Sequence, residues 1–408
     1  MLHRISSRCL KCKVPRCGKH CPVSTPIPDV MRLFEAKRER EAAEMLFANN
    51  PLSAICSVVC PHERNCCGHC VLGKKSEPAE FFKIEQHLSG QFLAEYEPPT
   101  IEKKNIYVAV IGSGPAGITM SILLSLKGFK VTLMEAHDKI GGVLRYGIPE
   151  FRLPKDFLAK YETILFKLGV RFKPNTFIGS STTLDEMFID GYKAVFIAVG
   201  AAKPNKLGLL GETLGNVYYA IDYLKSPEAY RLGRNVVVVG AGNVALDVAR
   251  VAIRNIEEGG TVTIINSLLE EEMTANKREI ADATEEGVKF VHLLQTVKLE
   301  HDGVKCIAVT AEKTGKGTVY EEDFTRVSKI PADSIILAIG QGPQGAAMTN
   351  SNVSRTKRGL VDANENGHTS SKGVFAAGDI VTGPKTVVEA VAFTKKVAGE
   401  IEKYCLEN

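Results

Sequence analysis

The sequence predicts an α/β protein in which a helical, cysteine-rich N-terminal segment precedes two Rossmann-like units. Three observations predict it. Nine of the 11 cysteines lie between Cys9 and Cys70. From Asn105 onward, apolar strand-like runs alternate with helical stretches, the signature of a parallel sheet. A strand–glycine turn–helix pattern occurs twice in that part, starting at Ile106 and at Asn235.

A length of 408 residues suggests two or three domains. A composition of 44% hydrophobic and 24% charged residues excludes disorder, collagen and coiled coil as the main architecture. The longest apolar runs, Val236 to Val239 and Ser334 to Ile339, are far shorter than the ~20 residues of a membrane span. No signal-peptide core follows Met1, so the expected location is the cytoplasm. A net charge of +4 gives no argument for nucleic acid.

Val30 to Asn49 reads as helical, with Val30, Leu33 and Phe34 at helical spacing and Pro51 just beyond. Glu95 to Lys104, with Pro98-Pro99, reads as a linker. The expected domains are 1–100 (helical), 101–225 with 334–408 (first nucleotide-binding domain), and 226–333 inserted as the second. A closing helix starts near Thr386, with Val388, Val391 and Ala392 on one face and Ala398, Ile401 and Cys405 continuing it.

The first turn is VAVIGSGPAGITM, an apolar strand running into Gly112, Gly114 and Gly117 and then a helix. Gly112 permits the tight turn, Gly114 lets the backbone approach a pyrophosphate, and Gly117 allows close helix–strand packing. A second strand, Lys130 to Met134, ends at Glu135, where an acidic side chain takes ribose hydroxyls. Gly378-Asp379, at the end of another short strand and before a helix, suits a ribityl chain. Together with Glu135 it points to FAD.

The second turn, VVVVGAGNVALDVAR, repeats the pattern with Gly240, Gly242 and Ala245. A nicotinamide domain inserted into a flavin domain sets a hydride donor against a flavin, which accounts for two such units in one chain. Nucleotide is expected along Gly240 to Asp247, including Asn243 and Val244. An NADP 2′-phosphate wants arginines where the next strand ends. This chain has Asn266, Ser267 and Leu268 there, followed by Glu270 to Glu272. Two missing charged hydrogen bonds, at roughly 1.5–3 kcal/mol each, favour NAD(H) over NADP(H).

The cysteines form two sets. The first is Cys9, Cys12, Cys17 and Cys21-Pro22. The second is Cys56, Cys60-Pro61, Cys66, Cys67 and Cys70. Such runs resemble the ferredoxin type, in which the fourth cysteine ligates the other of two [4Fe–4S] clusters. One cluster then takes Cys9, Cys12, Cys17 and a cysteine of the second set, and the other takes Cys21 plus the rest. The alternative is structural zinc. His20, His62 and His69 lie nearby. The basic start (Arg4, Arg8, Lys11, Lys13, Arg16, Lys19) reads either as a solvated face or as a docking patch for an acidic partner.

These motifs, with GGVLRYGIPEFRLP, ILAIGQGP and FAAGDIVTG, give the chain a resemblance over nearly its whole length. It resembles the small subunit of NADPH-dependent glutamate synthase. It is equally similar to the N-terminal half of dihydropyrimidine dehydrogenase, to that enzyme's separate bacterial NAD-dependent subunit, and to the large subunit of NADH-dependent reduced ferredoxin:NADP oxidoreductase. The resemblance implies a helical domain with two [4Fe–4S] clusters, then FAD and NAD(P) domains arranged as in thioredoxin reductase.

Carried over by motif, the resemblance implies Cys9, Cys12, Cys17 and Cys70 for one cluster. It implies Cys21, Cys60, Cys66 and Glu85 for the other, with Gln86 as runner-up to Glu85 and Cys56 and Cys67 as non-ligands. It lays Gly141-Gly142 through Arg152 along the flavin, including Val143 and Arg145. The candidate cofactor contacts are completed by Pro115, Ala116, Ala136, Gly200, Gly340, Thr386 and Val387. Two departures stand out. NADPH-using members carry Tyr-Arg-Arg in place of Asn266-Ser267-Leu268, and Phe81-Phe82-Lys83 replaces the usual small residues before the Glu ligand.

The expected function is an electron-input subunit. It takes hydride from NADH onto FAD and relays single electrons through two clusters to a partner subunit or soluble acceptor. No proton-transfer catalyst is expected. The alternative is a scaffold subunit with a non-functional nicotinamide site. Disulfide reduction is disfavoured, because residues 105–408 contain only Cys306 and Cys405.

Overall fold

The computed structural model describes residues 1–179, 182–315, 317–343 and 351–408. The chain forms two compact units. One comprises Met1–Arg145, Glu150–Ala201 and Pro343–Asn408, and the other Tyr146–Pro149 and Ala202–Gly342.

The N-terminal segment is helical: α1 (Leu2–Arg8), α2 (Ile27–Glu35), α3 (Glu39–Asn49), α4 (Ser53–Val59) and α5 (Phe81–Glu95). Their apolar faces meet in a core of Ile27, Val30, Met31, Phe34, Leu46, Ile84 and Leu88. The helical stretch expected from Val30 to Asn49 is interrupted. It starts earlier, at Ile27, and breaks between Glu35 and Glu39, where Lys37 adopts a left-handed φ of 58°. The Arg38 N–H then donates back to the Leu33 carbonyl at 2.9 Å, closing the first helix. No glycine or proline marks this break, so apolar spacing alone runs straight across it.

The first unit continues with β1 (Tyr107–Ile111), α6 (Pro115–Leu126), β2 (Lys130–Met134), α7 (Asp156–Lys167), β3 (Arg171–Lys173) and β4 (Tyr192–Ile197). Val108, Ala109 and Val110 are fully buried, as a central strand covered on both faces requires. The α7 helix packs on α5, and the Tyr161 hydroxyl donates to the Pro51 carbonyl at 2.7 Å, so cysteine-rich and sheet-bearing parts share one core.

The second unit carries β5 (Val217–Tyr219), β6 (Asn235–Val239), α8 (Asn243–Asn255), β7 (Thr261–Ile265) and β8 (Lys289–Val291). An antiparallel sheet of β9 (Leu294–Glu300), β10 (Gly303–Thr314) and β11 (Gly317–Pro331) follows, and then β12 (Ser334–Leu337). Its parallel sheet has the order β5-β12-β6-β7-β8. The chain then returns to the first unit through β13 (Val374–Ala376), α9 (Asp379–Thr382) and α10 (Val387–Glu407). The first sheet has the order β13-β4-β1-β2-β3, all parallel.

Thr386 starts α10 with a capping box: its Oγ1 accepts from the Glu389 N–H, and Glu389 Oε2 accepts from the Thr386 N–H at 3.0 Å. Val388, Val391, Thr394, Val397, Ala398, Ile401 and Cys405 are buried along this helix, which packs on α6.

Candidate functional site

The first glycine turn is shaped by close backbone approaches. Gly112 has φ of 96°, and a Cβ there would lie 2.5 Å from the Ala198 carbonyl oxygen at the end of β4. A Cβ on Gly117 would lie 1.8 Å from the Gly112 carbonyl oxygen. Gly114 is different, because among the described residues nothing beyond its own neighbouring backbone lies within 4 Å of its missing Cβ. It is the N-cap of α6, with Pro115 at the first helical position and Ala116 buried behind it. The helix dipole and the free N–H groups of this terminus favour an anion.

Glu135 ends β2 and is buried. Its Oε2 accepts from the Ser113 N–H at 2.9 Å and from Ser113 Oγ at 2.6 Å, and its Oε1 accepts from the His137 N–H at 3.0 Å. Ala136 lies between them in sequence. Ser113 is a site residue that sequence reasoning missed, since the glycine pattern leaves its position unspecified. The Gly141 N–H donates to the Ser113 carbonyl at 2.9 Å. A Cβ on Gly142, whose φ is 52°, would lie 2.9 Å from the Gly114 Cα. The GG turn is thereby laid against the glycine turn. Val143 beyond it is exposed, whereas Arg145 is held by the Ile140 carbonyl (2.6 Å) and Glu162 (3.0 Å).

Gly378 has φ of 79°, and its missing Cβ would lie 3.2 Å from Ala116 Cβ, so β13 also ends at the α6 N-terminus. Asp379 follows, with Oδ1 accepting from the Lys385 N–H at 3.2 Å. Burial pushes its carboxyl up to about 6. Thr386 and Val387 come next as the start of α10. Gly200, with φ of 67°, follows the β4 residues that pack on Gly112, and open space surrounds its missing Cβ.

The second turn in the other unit repeats the design. A Cβ on Gly240 would lie 2.4 Å from the Ala338 carbonyl oxygen, while Gly242 has only Thr274 Oγ1 nearby, at 3.5 Å. Ala245 is fully buried in the third position. Asn243 Oδ1 accepts from the Asn276 N–H at 2.8 Å, fixing the next loop to the start of α8. Val244 is half-buried and Asp247 lies on the buried face of α8. Gly340 is also in this unit, in the short pairing of Lys203–Pro204 with Gln341–Gly342.

Asn266 ends β7, and its Oδ1 accepts from the Leu268 N–H at 3.0 Å. Ser267 is half-buried beside it. Glu271 pairs with Lys313 at 2.6 Å, and Glu272 accepts from the Thr318 and Tyr320 hydroxyls of β11. The Lys313 and Thr318 contacts hold these two carboxyls below the usual range, so both are ionised near the end of β7.

The cysteines sort themselves by mutual field. Burial pushes the Cys17 thiol up to about 11, with Cys70, Cys9 and Cys12 adding to it. Cys9 is raised by burial and by Cys70 and Cys12. These four form one group. In the other, burial pushes Cys60 up to about 12, with Glu85 and Cys21 adding to it. Cys66 is raised by its hydrogen bond with Cys67, by burial, and by Glu85 and Cys60. Glu85 is buried on α5, and desolvation lifts its carboxyl to about 8. Cys56 stands within this second group, fully buried beside Cys60, Glu85 and Cys21.

Donors face the sulfurs: Asn65 Nδ2 to Cys60 at 3.2 Å and the Ala79 N–H to Cys70 at 3.5 Å. Such contacts stabilise thiolate over thiol. His20 and His69 stack on each other at 3.5 Å, and His62 stacks on Phe82 at 4.2 Å. Among the described residues, no three His, Cys, Asp or Glu side chains close to single-ion spacing. No helix among them is long and apolar enough to cross a membrane.

Two family models match the chain. The pyridine nucleotide-disulphide oxidoreductase model covers residues 106–393, and the model described as dihydropyrimidine dehydrogenase domain II, 4Fe-4S cluster, covers residues 2–96. The glutamate synthase [NADPH] small chain of Escherichia coli K12 is 32% identical over 97% of this chain and 90% of its own length. The NAD-dependent dihydropyrimidine dehydrogenase subunit PreT of the same organism is 31% identical over 98% of this chain and 93% of its own.

Among solved structures, FprA from Mycobacterium tuberculosis in complex with NADPH matches with a TM-score of 0.64 at 18% identity. That match covers 74% of this chain and 85% of FprA. Thioredoxin reductase from Lactococcus lactis matches with a TM-score of 0.58 at 21% identity, covering 74% of this chain and all (100%) of that one. At such identities these two show the fold alone. The sequence relatives and family models go further: the chain belongs to the pyridine nucleotide-disulphide oxidoreductase family and is an NAD(P)H-dependent FAD and iron–sulfur oxidoreductase.

Proposed function

We propose that the chain is an electron-input subunit that takes hydride from NADH and passes single electrons to a partner subunit or acceptor. The observation that carries this reading is the sorting of donors. Cys9, Cys12, Cys17 and Cys70 share one field, and Cys21, Cys56, Cys60, Cys66, Cys67 and Glu85 share another. Both groups lie in the same compact unit as the first glycine turn. Two sets with at least four donors each fit two [4Fe–4S] clusters.

When bound, FAD and the clusters supply the conversion of a two-electron hydride into two one-electron transfers. The chain's own residues do the rest. The α6 N-terminus with Gly114 receives the pyrophosphate, Glu135 the adenosine ribose, and Asp379 the ribityl chain. Glu135 is already oriented by Ser113 and His137, so it loses little freedom on binding.

The α10 helix begins shortly after Asp379, and eight residues past Val387 its Lys395 donates to Asn49 Oδ1 at 3.0 Å. At 1.5 Å per residue that is about 12 Å, so the helix that starts by the proposed flavin site reaches the cysteine-rich helical segment at Asn49. Two of the relatives are named as a small chain and as a subunit, which supports a partner as the destination.

NADH is favoured because no Lys or Arg lies between Thr261 and Asn276, and Glu271 and Glu272 are ionised there. The relatives' names do not choose, since one says NADPH and another NAD. The test is an anaerobic visible spectrum before and after NADH, then NADPH. Bleaching of flavin and iron–sulfur bands by NADH at low concentration is expected. Bleaching by NADPH alone overturns the coenzyme choice. No bleaching, with both chromophores present, leaves the scaffold with a silent nicotinamide site.

A further inference from the structure

We infer that Tyr320 is a positioning residue for coenzyme choice: from the antiparallel sheet it fixes the loop after β7, so that Glu272 stands as a charge against a 2′-phosphate. The inference rests on the reading of this unit as the NADH site and deepens it. In this kind of unit the adenosine ribose is read about 20 residues past the glycine turn, which here is the end of β7. The loop from Asn266 to Asn276 leaves that end and leads to a helix, Lys277–Glu285.

The loop is tied at three places. At its start the Asn266 N–H donates to the Val291 carbonyl, at the end of β8, at 3.2 Å. At its far end the Ala275 N–H donates to the Ala241 carbonyl at 3.2 Å and the Asn276 N–H to Asn243 Oδ1 at 2.8 Å, so it closes onto the second glycine turn. Its middle is a single turn, Glu270–Glu272, whose N-cap residue is Leu269, with no side-chain oxygen to cap it. Tyr320 of β11 ties that middle. Its hydroxyl accepts from the Leu269 N–H at 3.2 Å and donates to Glu272 Oε2, while the Thr318 hydroxyl donates to Glu272 Oε1. One phenol thereby joins the backbone before the turn to the carboxylate at its end.

Charge decides what this clamp does. Glu271 is answered by Lys313 at 2.6 Å. Glu272 is held by two hydroxyls, which keep it ionised without adding a positive charge. A phosphate monoester carries about −1.5 to −2 near neutral pH and is repelled by a fixed carboxylate, whereas the 2′-hydroxyl of NADH has no charge to repel. A loop free to move would carry Glu272 away from the phosphate; the clamp removes that escape. Val319 and Glu321 on either side of Tyr320 are exposed, and changing Tyr320 to Phe removes one oxygen and no packing.

The experiment is calorimetric titration of the holoprotein with NAD+ and with NADP+, alongside kcat/KM for NADH and NADPH with a dye acceptor. The chains are wild type, Tyr320→Phe, Thr318→Val, Glu272→Gln and the double variant Tyr320→Phe with Glu272→Gln. The quantity read is the ratio of the two dissociation constants. Tyr320→Phe should bring that ratio about three- to tenfold closer to one by tightening NADP+, with NAD+ changed by less than about threefold. Glu272→Gln keeps oxygen and loses charge, and should move the ratio at least as far. In the Glu272→Gln background Tyr320→Phe should add less than about twofold, because it acts through Glu272. Thr318→Val should move the ratio in the same direction as Tyr320→Phe, and takes its place in the cycle if Tyr320→Phe does not fold.

Three results overturn the inference: a ratio within about twofold of wild type in folded Tyr320→Phe, equal weakening of both nucleotides, or an undiminished Tyr320→Phe effect beside Glu272→Gln. Equal weakening is what a merely structural role would give. A wild type that prefers NADP+ or binds neither nucleotide defeats the coenzyme reading itself, and is distinguishable because it is seen before any variant.

Discussion

Alanine at Gly114 should separate cofactor binding from folding, and alanine at Gly117 should not. The structure sets the contrast. A Cβ at 117 would sit 1.8 Å from the Gly112 carbonyl oxygen; that oxygen is backbone and the backbone fixes where the Cβ lies, so no rotamer relieves the overlap. Overpacking costs about 1–3 kcal/mol even where neighbours can move, and here about 3 kcal/mol or more is expected. For a domain of this size that lowers Tm by roughly 6–12 °C.

Among the described residues nothing beyond its own neighbouring backbone lies within 4 Å of a Cβ added at 114, and φ is −71°, which alanine adopts freely. Gly→Ala at an N-cap costs about 1 kcal/mol, or roughly 2–4 °C, still well short of the loss at 117. In the proposed function this open space receives the pyrophosphate, so the methyl group would displace it. Losing one charged hydrogen bond, at about 1.5–3 kcal/mol, weakens FAD roughly 10- to 150-fold. The assays are thermal unfolding of FAD-stripped protein and FAD titration by flavin fluorescence. The reasoning fails if Gly114→Ala binds FAD as tightly as wild type, or if its cofactor-free Tm falls as far as that of Gly117→Ala.

Other outcomes follow from the same geometry. Asp379 titrates near 6 in the fold against an ordinary 3.8, so between those values the folded protein holds the extra proton. Stability of the cofactor-free protein therefore falls as pH rises from about 4 to about 6, by up to ~3 kcal/mol. Asp379→Asn should remove that slope and raise the cofactor-free Tm at pH 7 while weakening FAD; a pH series of melts checks both. Glu85→Ala should reduce iron from roughly eight to roughly four atoms per chain, measured by iron assay, with the Cys9-group EPR signal retained. The pair Ser267→Arg and Leu268→Arg should raise kcat/KM for NADPH at least about tenfold with a dye acceptor, since each arginine adds a charged hydrogen bond to the 2′-phosphate.

Several features were legible in the sequence because they are local. The two glycine turns stand between strand and helix where the residues require it, since Gly112 and Gly240 both take positive φ and leave no room for a side chain. Glu135 stands at the end of β2, and Thr386 caps the closing helix with Glu389 three residues on, as a capping box demands. Other features were not legible. Apolar spacing carried one helical reading across Lys37, whose left-handed backbone has no residue-type signal.

The amino-acid sequence by itself determined the parallel-sheet class, the two nucleotide turns and the cysteine-rich start, because backbone sterics and periodicity act within a few residues. Only tertiary structure decided what depends on distant groups meeting. Glu135 and Gly142 close on the first turn at Ser113 and Gly114, and Cys56 stands among the second donor group although the family resemblance sets it aside. Lys395 reaches Asn49 from near the other end of the chain. Burial and field belong to positions in space, and only packing brings those positions together.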